Sequence, residues 1–186
     1  NEPQSIKQVE LDTWKLLYDN GKNGRRTGLG FTALGDAIAA LGFGYDSNDS
    51  IAVIENIMKT KCEAEFNSSI DMAIERGPFK GFDPKVEETS EFVQMMKTEM
   101  PEIHDKMMTF GRRNISLSTV APTGTLSMLA QTSSGIEPVF LLSYTRRRKV
   151  NPNDPNAKIS FTDELGDNWE EFTVYHAKLK DWMDIS

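Results

Sequence analysis

Cysteine is almost absent from this chain: Cys62 is the single thiol in 186 residues. One thiol excludes an internal disulfide framework and suits a reducing, cytoplasmic setting. Histidine is nearly as scarce. His104 and His176 stand alone, with no partner at a metal-ligand spacing, so no metal is expected and both are assigned to surface or packing. Positive charge is short, with 21 Lys and Arg against 28 Asp and Glu and a formal net charge of -7. A dedicated nucleic-acid binder needs a basic face to displace counterions, so nucleic acid is not an expected partner. No apolar run approaches the ~18–20 residues of a membrane span. No secretory signal is visible. There is no internal repeat and no low-complexity segment.

What is present suits one α/β domain with a real core: 38% hydrophobic residues and 26% charged. The most informative stretch runs from Asn114 to Pro138. Residues 115–120 alternate apolar and hydroxyl side chains and are β-branched at Ile115, Thr119 and Val120, which predicts a strand. Ala121-Pro122-Thr123-Gly124 is a sharp turn, because proline fixes one φ and glycine frees another. Residues 125–131 read as a short helix. A strand, turn and helix in this order leave backbone N–H groups unpaired at the helix start. Those groups, the helix dipole and the hydroxyls of Thr123, Thr125 and Ser127 favour an anion, phosphate above others. The alternative is a plain capped helix start that binds nothing. The turn has no lysine, which separates it from the nucleoside-triphosphatase loop.

Helices are also predicted over 6–18, 32–41, 51–76, 87–99, 102–110 and 176–184. In the longest, Ile54, Met58, Cys62, Phe66, Ile70 and Ile74 recur every four residues and mark a buried face. Cys62 lies in that row, so it is read as a small buried apolar residue rather than a reactive thiol. Ser50 is its expected N-cap. Phe92, Met95 and Met96 should face inward from the helix over 87–99. Pro101 should open the next helix. Further strands are expected near 139–144 and 158–161, and residues 151–156 form a turn-rich, exposed link. Arg146-Arg147-Arg148-Lys149 reads either as a solvated strand end or as a cluster in which an arginine holds a phosphate or an acidic neighbour.

Gly28-Leu29-Gly30-Phe31-Thr32-Ala33 fits the loosened dinucleotide pattern G-x-G-x-x-A, with Asp46 or Asp49 at a suitable distance. That reading requires a strand ending at Gly28, and residues 18–26 are polar and turn-rich. The structural reading is that Gly28 and Gly30 let a short strand near 28–31 pack closely on a neighbour. Gly35 would let another element approach the following helix.

Three separated stretches resemble one family. Ala121-Pro122-Thr123-Gly124-Thr125-Leu126-Ser127, with Ser133-Ser134-Gly135-Ile136-Glu137-Pro138-Val139-Phe140 and Tyr144-Thr145-Arg146-Arg147 after it, is similar to the vitamin B12-dependent (adenosylcobalamin, class II) ribonucleotide reductases. The stretches from Arg25 to Asp36 and from Glu75 to Asp83 resemble the same family, in the family's order. The resemblance implies that Pro122, Thr123, Gly124, Thr125 and Leu126 hold the phosphates of a ribonucleotide substrate, with Ala121 and Ser127 as flanking candidates. It implies a helix-rich α/β part of a ten-stranded barrel, its second half, with short strands near 28–31, 115–120 and 139–144. It implies a ribonucleoside-diphosphate reductase that replaces a ribose 2′-hydroxyl by hydrogen through thiyl-radical chemistry. It also implies adenosylcobalamin as the cofactor of the intact enzyme.

That family uses one cysteine as the radical and a pair as reductant, which a single cysteine cannot supply. We therefore expect residues 1–186 to be one piece of the catalytic barrel domain. It would lack the radical-cysteine loop, the specificity region and the C-terminal cysteine tail. No catalytic residue is expected in it, it should be inactive alone, and cobalamin binding by this piece is not expected. Its partners would be the rest of the same polypeptide and a second copy in a homodimer, and a partial barrel should expose apolar surface. Two other classes remain open: a non-catalytic α/β module that binds a phosphate or a partner, with no unpaired sheet edge, and a nicotinamide-dependent oxidoreductase.

Overall fold

The computed structural model describes residues 3–151 and 156–185. Residues 152–155 of the turn-rich link lie outside the described residues. Two compact units divide the chain: residues 1–30 with 46–120, and residues 31–45 with 121–186. Helices and a small sheet make it α/β, weighted towards helix.

The first unit holds α1 (Gln4–Gly24), α3 (Asn48–Arg76), α4 (Pro84–Glu87), α5 (Glu91–Glu99) and α6 (Pro101–Phe110). The long helix α3 starts one turn earlier than the sequence suggests, because Ser47, not Ser50, caps it: Ser50 N–H donates to Ser47 Oγ at 3.2 Å. It stops at Gly77, whose φ of 78° only glycine adopts freely. Its buried face packs on α5 and α6 through Phe66, Ile70, Val93, Met96, Met100 and Met107, with Leu117 completing the core. Each such side chain contributes about 1.5–3 kcal/mol by leaving water. Ala73 is buried while Ile74 is 54% exposed, so the row turns by one residue at its end. The helix expected over 87–99 begins only at Glu91 as α5, and the separate short helix α4 precedes it. Val93 and Met96 face inward, while Phe92 and Met95 are half exposed.

Lys61 and Glu65 are buried on α3 and form a 2.6 Å ion pair. Lys61 Nζ also donates to Ser118 Oγ at 2.6 Å, and Ser118 Oγ donates to the second carboxylate oxygen of Glu65. A polar stripe on the long helix therefore grips residue 118.

The strands expected near 28–31 and 115–120 are not formed as strands. The two segments do run side by side and parallel, but they share a single bridge, Leu29 to Ser118. Leu29 N–H donates to Leu117 O and Thr119 N–H to Leu29 O. Their alternation is real, yet among the described residues no further strand flanks the pair, and two parallel segments make a poor ladder alone. Gly28 and Gly30 play the packing role expected of them. A Cβ on Gly30 would lie 2.8 Å from Thr119 O, and one on Gly28 would lie 3.1 Å from the Thr119 side chain. No strand ends at Gly28: the chain leaves α1 at Gly24. The condition for the nicotinamide reading is not met.

The second unit holds α2 (Leu34–Ala40), α7 (Gly124–Ala130), β1 (Ser143–Lys149), β2 (Phe161–Thr162), β3 (Asn168–Tyr175) and α8 (Ala177–Ile185). The sheet is antiparallel in the order β1-β3-β2. The strand expected over 139–144 is displaced to 143–149. Cross-strand ion pairs explain the shift: Arg147 with Glu171 at 2.6 Å, Arg148 with Glu170 at 2.7 Å and Lys149 with Asp167 at 2.5 Å. The first two pairs sit directly opposite in the register. Arg147 and Arg148 thus hold acidic neighbours on β3, and Lys149 holds Asp167 just before it. Every residue of β1 is exposed and, among the described residues, no strand pairs with its outer edge, contrary to the closed-edge expectation of a self-contained binding module.

Candidate anion-binding turn

The turn and everything that braces it belong to the second unit. Pro122 is exposed, Thr123 is half-buried, and Gly124, Thr125 and Leu126 are exposed. Helix α7 begins at Gly124, one residue earlier than expected, with Thr123 at the N-cap position (φ -104°, ψ 36°). The amides of Gly124, Thr125 and Leu126 occupy its first three positions and so have no partner within the helix. A Cβ on Gly124 would meet nothing within 4 Å, so there is free space beside this residue. Ser127 is buried, and its hydroxyl donates to Gly124 O at 2.9 Å. Ala121 is half-buried, behind the turn.

The two threonines differ. Thr125 is exposed, and its hydroxyl makes no hydrogen bond among the described residues. Thr123 turns inward. Gly135 N–H donates to Thr123 Oγ1 at 2.7 Å, and Thr123 Oγ1 lies 2.8 Å from Thr32 Oγ1. Thr32 spends its proton on Ser133 O at 3.1 Å. Each hydroxyl has one proton, so Thr123 is the donor to Thr32. The path runs in one direction: Gly135 N–H to Thr123, Thr123 to Thr32, Thr32 to the Ser133 carbonyl. The N-capping hydroxyl does not bond its own helix.

Behind the turn, residues 133–138 pack on the start of α2. Asp36 Oδ2 accepts from Ser133 N–H at 2.9 Å, and Asp36 N–H donates to Ser133 Oγ at 3.3 Å. Ala33 N–H donates to Ser133 O and Leu34 N–H to Gly135 O. A Cβ on Gly35 would lie 2.7 Å from both Glu137 O and Pro138 Cα, so Gly35 permits the close approach expected of it. Gly135 has a φ of 59°. His176 is largely buried, with Nε2 3.5 Å from Asp36 Oδ2. The sequence reading identified the turn but missed Thr32, Asp36 and Ser133 as its support. The available signal was that the second resembling stretch carries Thr32 and ends at Asp36.

The residues in the first unit carry other chemistry. A cavity of about 960 Å³ there is lined largely by apolar side chains, including Met58, Cys62, Phe66 and Met95. Its Arg112 is matched by Glu87 at 2.5 Å, and Glu55, Lys59 and Glu99 also line it. Burial, and then the nearby Glu65 carboxylate, raises the Cys62 pKa above the ordinary thiol value, so the thiol stays protonated. His104 is buried, with Nδ1 3.1 Å from Asp105 and Nε2 3.2 Å from Glu88. Among the described residues no group of three His, Cys, Asp or Glu could hold a metal ion, and no helix is long and apolar enough to cross a membrane.

What this geometry defines is an α/β chain with an exposed helix start braced by a part-buried polar network. The family described as the ribonucleotide reductase barrel domain matches residues 5–178, and the chain belongs to that family. It is similar to a vitamin B12-dependent ribonucleoside-diphosphate reductase of Mycobacterium tuberculosis, 34% identical over 122 residues, covering 66% of this chain and 15% of that protein. It is 30% identical over 122 residues to a protein of the same name from Thermoplasma acidophilum, covering 66% of this chain and 14% of that one. It is 24% identical over 146 residues to a ribonucleoside-diphosphate reductase subunit alpha of Treponema pallidum, covering 76% of this chain and 17% of that one. The chain spans about 15% of the length of the first of these relatives.

Proposed function

We propose that this chain is one piece of the catalytic barrel of a ribonucleotide reductase, an enzyme converting ribonucleotides to 2′-deoxyribonucleotides, and that residues 122–126 hold the substrate phosphates. Membership of the barrel-domain family supports the reaction. The observation that carries the site is the exposed start of α7. The amides of Gly124, Thr125 and Leu126 lead the helix, all three residues are exposed, and a Cβ on Gly124 would meet nothing within 4 Å. Amides and a hydroxyl hold a phosphate without adding a competing charge. Leu126 contributes its amide. Pro122 sets the bend, and Thr123 serves the turn from its inner side. Such a clamp fixes the ribose against the reacting group, where an ångström of misplacement costs orders of magnitude in rate.

The relatives at 30–34% identity carry the B12-dependent name, and the one at 24% does not. This supports cobalamin, in its adenosyl form, as the cofactor of the intact enzyme. The described residues of this chain do not fit that group: there is no metal-holding cluster, and the one thiol is half-buried and kept protonated. The radical cysteine, the reducing pair, the specificity region and the cobalamin site are assigned to the rest of the polypeptide. Exposed apolar side chains support such covering chain, Trp14 at 70% and Phe140 at 91% among them. A homodimer of the intact enzyme and a cytoplasmic location complete the reading.

Calorimetric titration with a ribonucleoside diphosphate tests the site. The wild-type chain should bind, and Thr125→Ala should weaken binding by about tenfold, the value of one hydrogen bond to a charged group. Equal affinities would remove the clamp.

A further inference from the structure

Thr123 and Thr125 are interchangeable in the sequence, but the structure gives them opposite surroundings. We propose that Thr32 and Asp36 are positioning residues for the turn, acting through Thr123 and Ser133, and that the Thr123 hydroxyl is part of this brace and makes no contact with the phosphate. The inference rests on the phosphate reading of the turn.

Three observations carry it. The hydroxyl path from Gly135 through Thr123 and Thr32 to the Ser133 carbonyl consumes both hydroxyl protons, so neither is available to an anion. Asp36 and Ser133 make a reciprocal pair, each accepting the other's backbone N–H through its side chain. Ser133 is 5% exposed, so these bonds form away from competing water. The path and the pair meet at Ser133 and together tie α2 to the two segments that flank α7. The N-cap residue is thereby held from behind, and the direction in which the amides at 124–126 point follows from it.

Thr32→Val keeps the β-branched shape but removes the acceptor for Thr123 and the donor to Ser133. Thr32→Ser restores both. Asp36→Ala removes the acceptor for Ser133 N–H, and Asp36→Asn can restore it. The test measures binding of inorganic pyrophosphate and of a ribonucleoside diphosphate by calorimetry on the full chain. Amide hydrogen exchange at Gly135 is followed in the same variants, with thermal midpoints as a check on folding.

We expect Thr32→Val and Asp36→Ala to bind about tenfold more weakly. The Ser and Asn variants should stay within about twofold of wild type. Exchange at Gly135 should accelerate in Thr32→Val and remain unchanged in Thr125→Ala. If Thr32→Val binds as wild type while Thr125→Ala is weakened, the positioning role is overturned and the phosphate turn stands. If Thr32→Ser or Asp36→Asn is as weak as its partner variant, the hydrogen bonds are not the cause, and the inference is likewise overturned. If wild type and Thr125→Ala bind equally, the turn is not the site, and the inference falls with it.

Discussion

Replacing Glu65 by alanine is the perturbation whose cost the structure sets most clearly. The Lys61 and Glu65 side chains are 6% and 5% exposed, their charged atoms are 2.6 Å apart, and Ser118 bonds to both. Their attraction only offsets the cost of taking two charges out of water. Glu65→Ala removes the offset and leaves a buried ammonium without its carboxylate. The expected loss is about 3–5 kcal/mol. With a urea slope of about 2 kcal/mol per M, the midpoint should fall by about 2 M. The double replacement Lys61→Met with Glu65→Leu fills similar volume without charge and should lie within about 1 kcal/mol of wild type or above it. Urea denaturation followed by far-UV circular dichroism reads both, and the double-mutant cycle isolates the pair. A loss below about 1 kcal/mol for Glu65→Ala is the behaviour of a hydrated surface pair. That outcome would refute the burial on which the reasoning depends, and with it the idea that α3 grips the segment leading to the turn at Ser118.

Two further predictions concern titration. Burial raises the Cys62 pKa in the folded chain, so its contribution is fully present below the ordinary thiol range of about 8.5 and is lost as pH rises through the higher folded value. Stability should therefore fall on the alkaline side, less so in Cys62→Ala, and iodoacetamide should alkylate the native thiol much more slowly than the unfolded one. At the hairpin, Trp169 Nε1–H and then the backbone amides of Asp167 and Leu165 hold Asp163 below the ordinary carboxylate range. Its contribution is present above about pH 3.9 and is lost as pH falls through the lower folded value. Trp169 fluorescence should report hairpin loosening at acid pH, and Asp163→Asn should flatten that response.

Much of the helical framework is legible in the sequence because its determinants are local. The four-residue row marks α3 through Phe66 and Ile70, Pro101 opens α6, and Gly35 marks a close approach. The sheet is less legible. Residues 143–149 are polar and exposed on every position, so neither alternation nor burial marks β1. Cross-strand pairs to residues about twenty positions away hold it. The alternation over 115–120 is genuine, but a strand also needs neighbours, and there the pairing stops at one bridge. At the turn, the helix start is legible, and Gly124, Thr125 and Leu126 are exposed at it. The different hydroxyl surroundings of Thr123 and Thr125 are not legible, because those of Thr123 depend on Thr32, 91 positions away, and on Gly135.

The phosphate role of the turn is tested most directly by observing its amides. Backbone resonances of Gly124, Thr125 and Leu126 should be followed by 15N–1H NMR as inorganic pyrophosphate and then a ribonucleoside diphosphate are added. Large, saturable shifts confined to these three amides and their immediate neighbours, and lost in Thr125→Ala, are the predicted result. Saturable shifts that leave residues 124–126 unmoved and cluster elsewhere in the chain would contradict it.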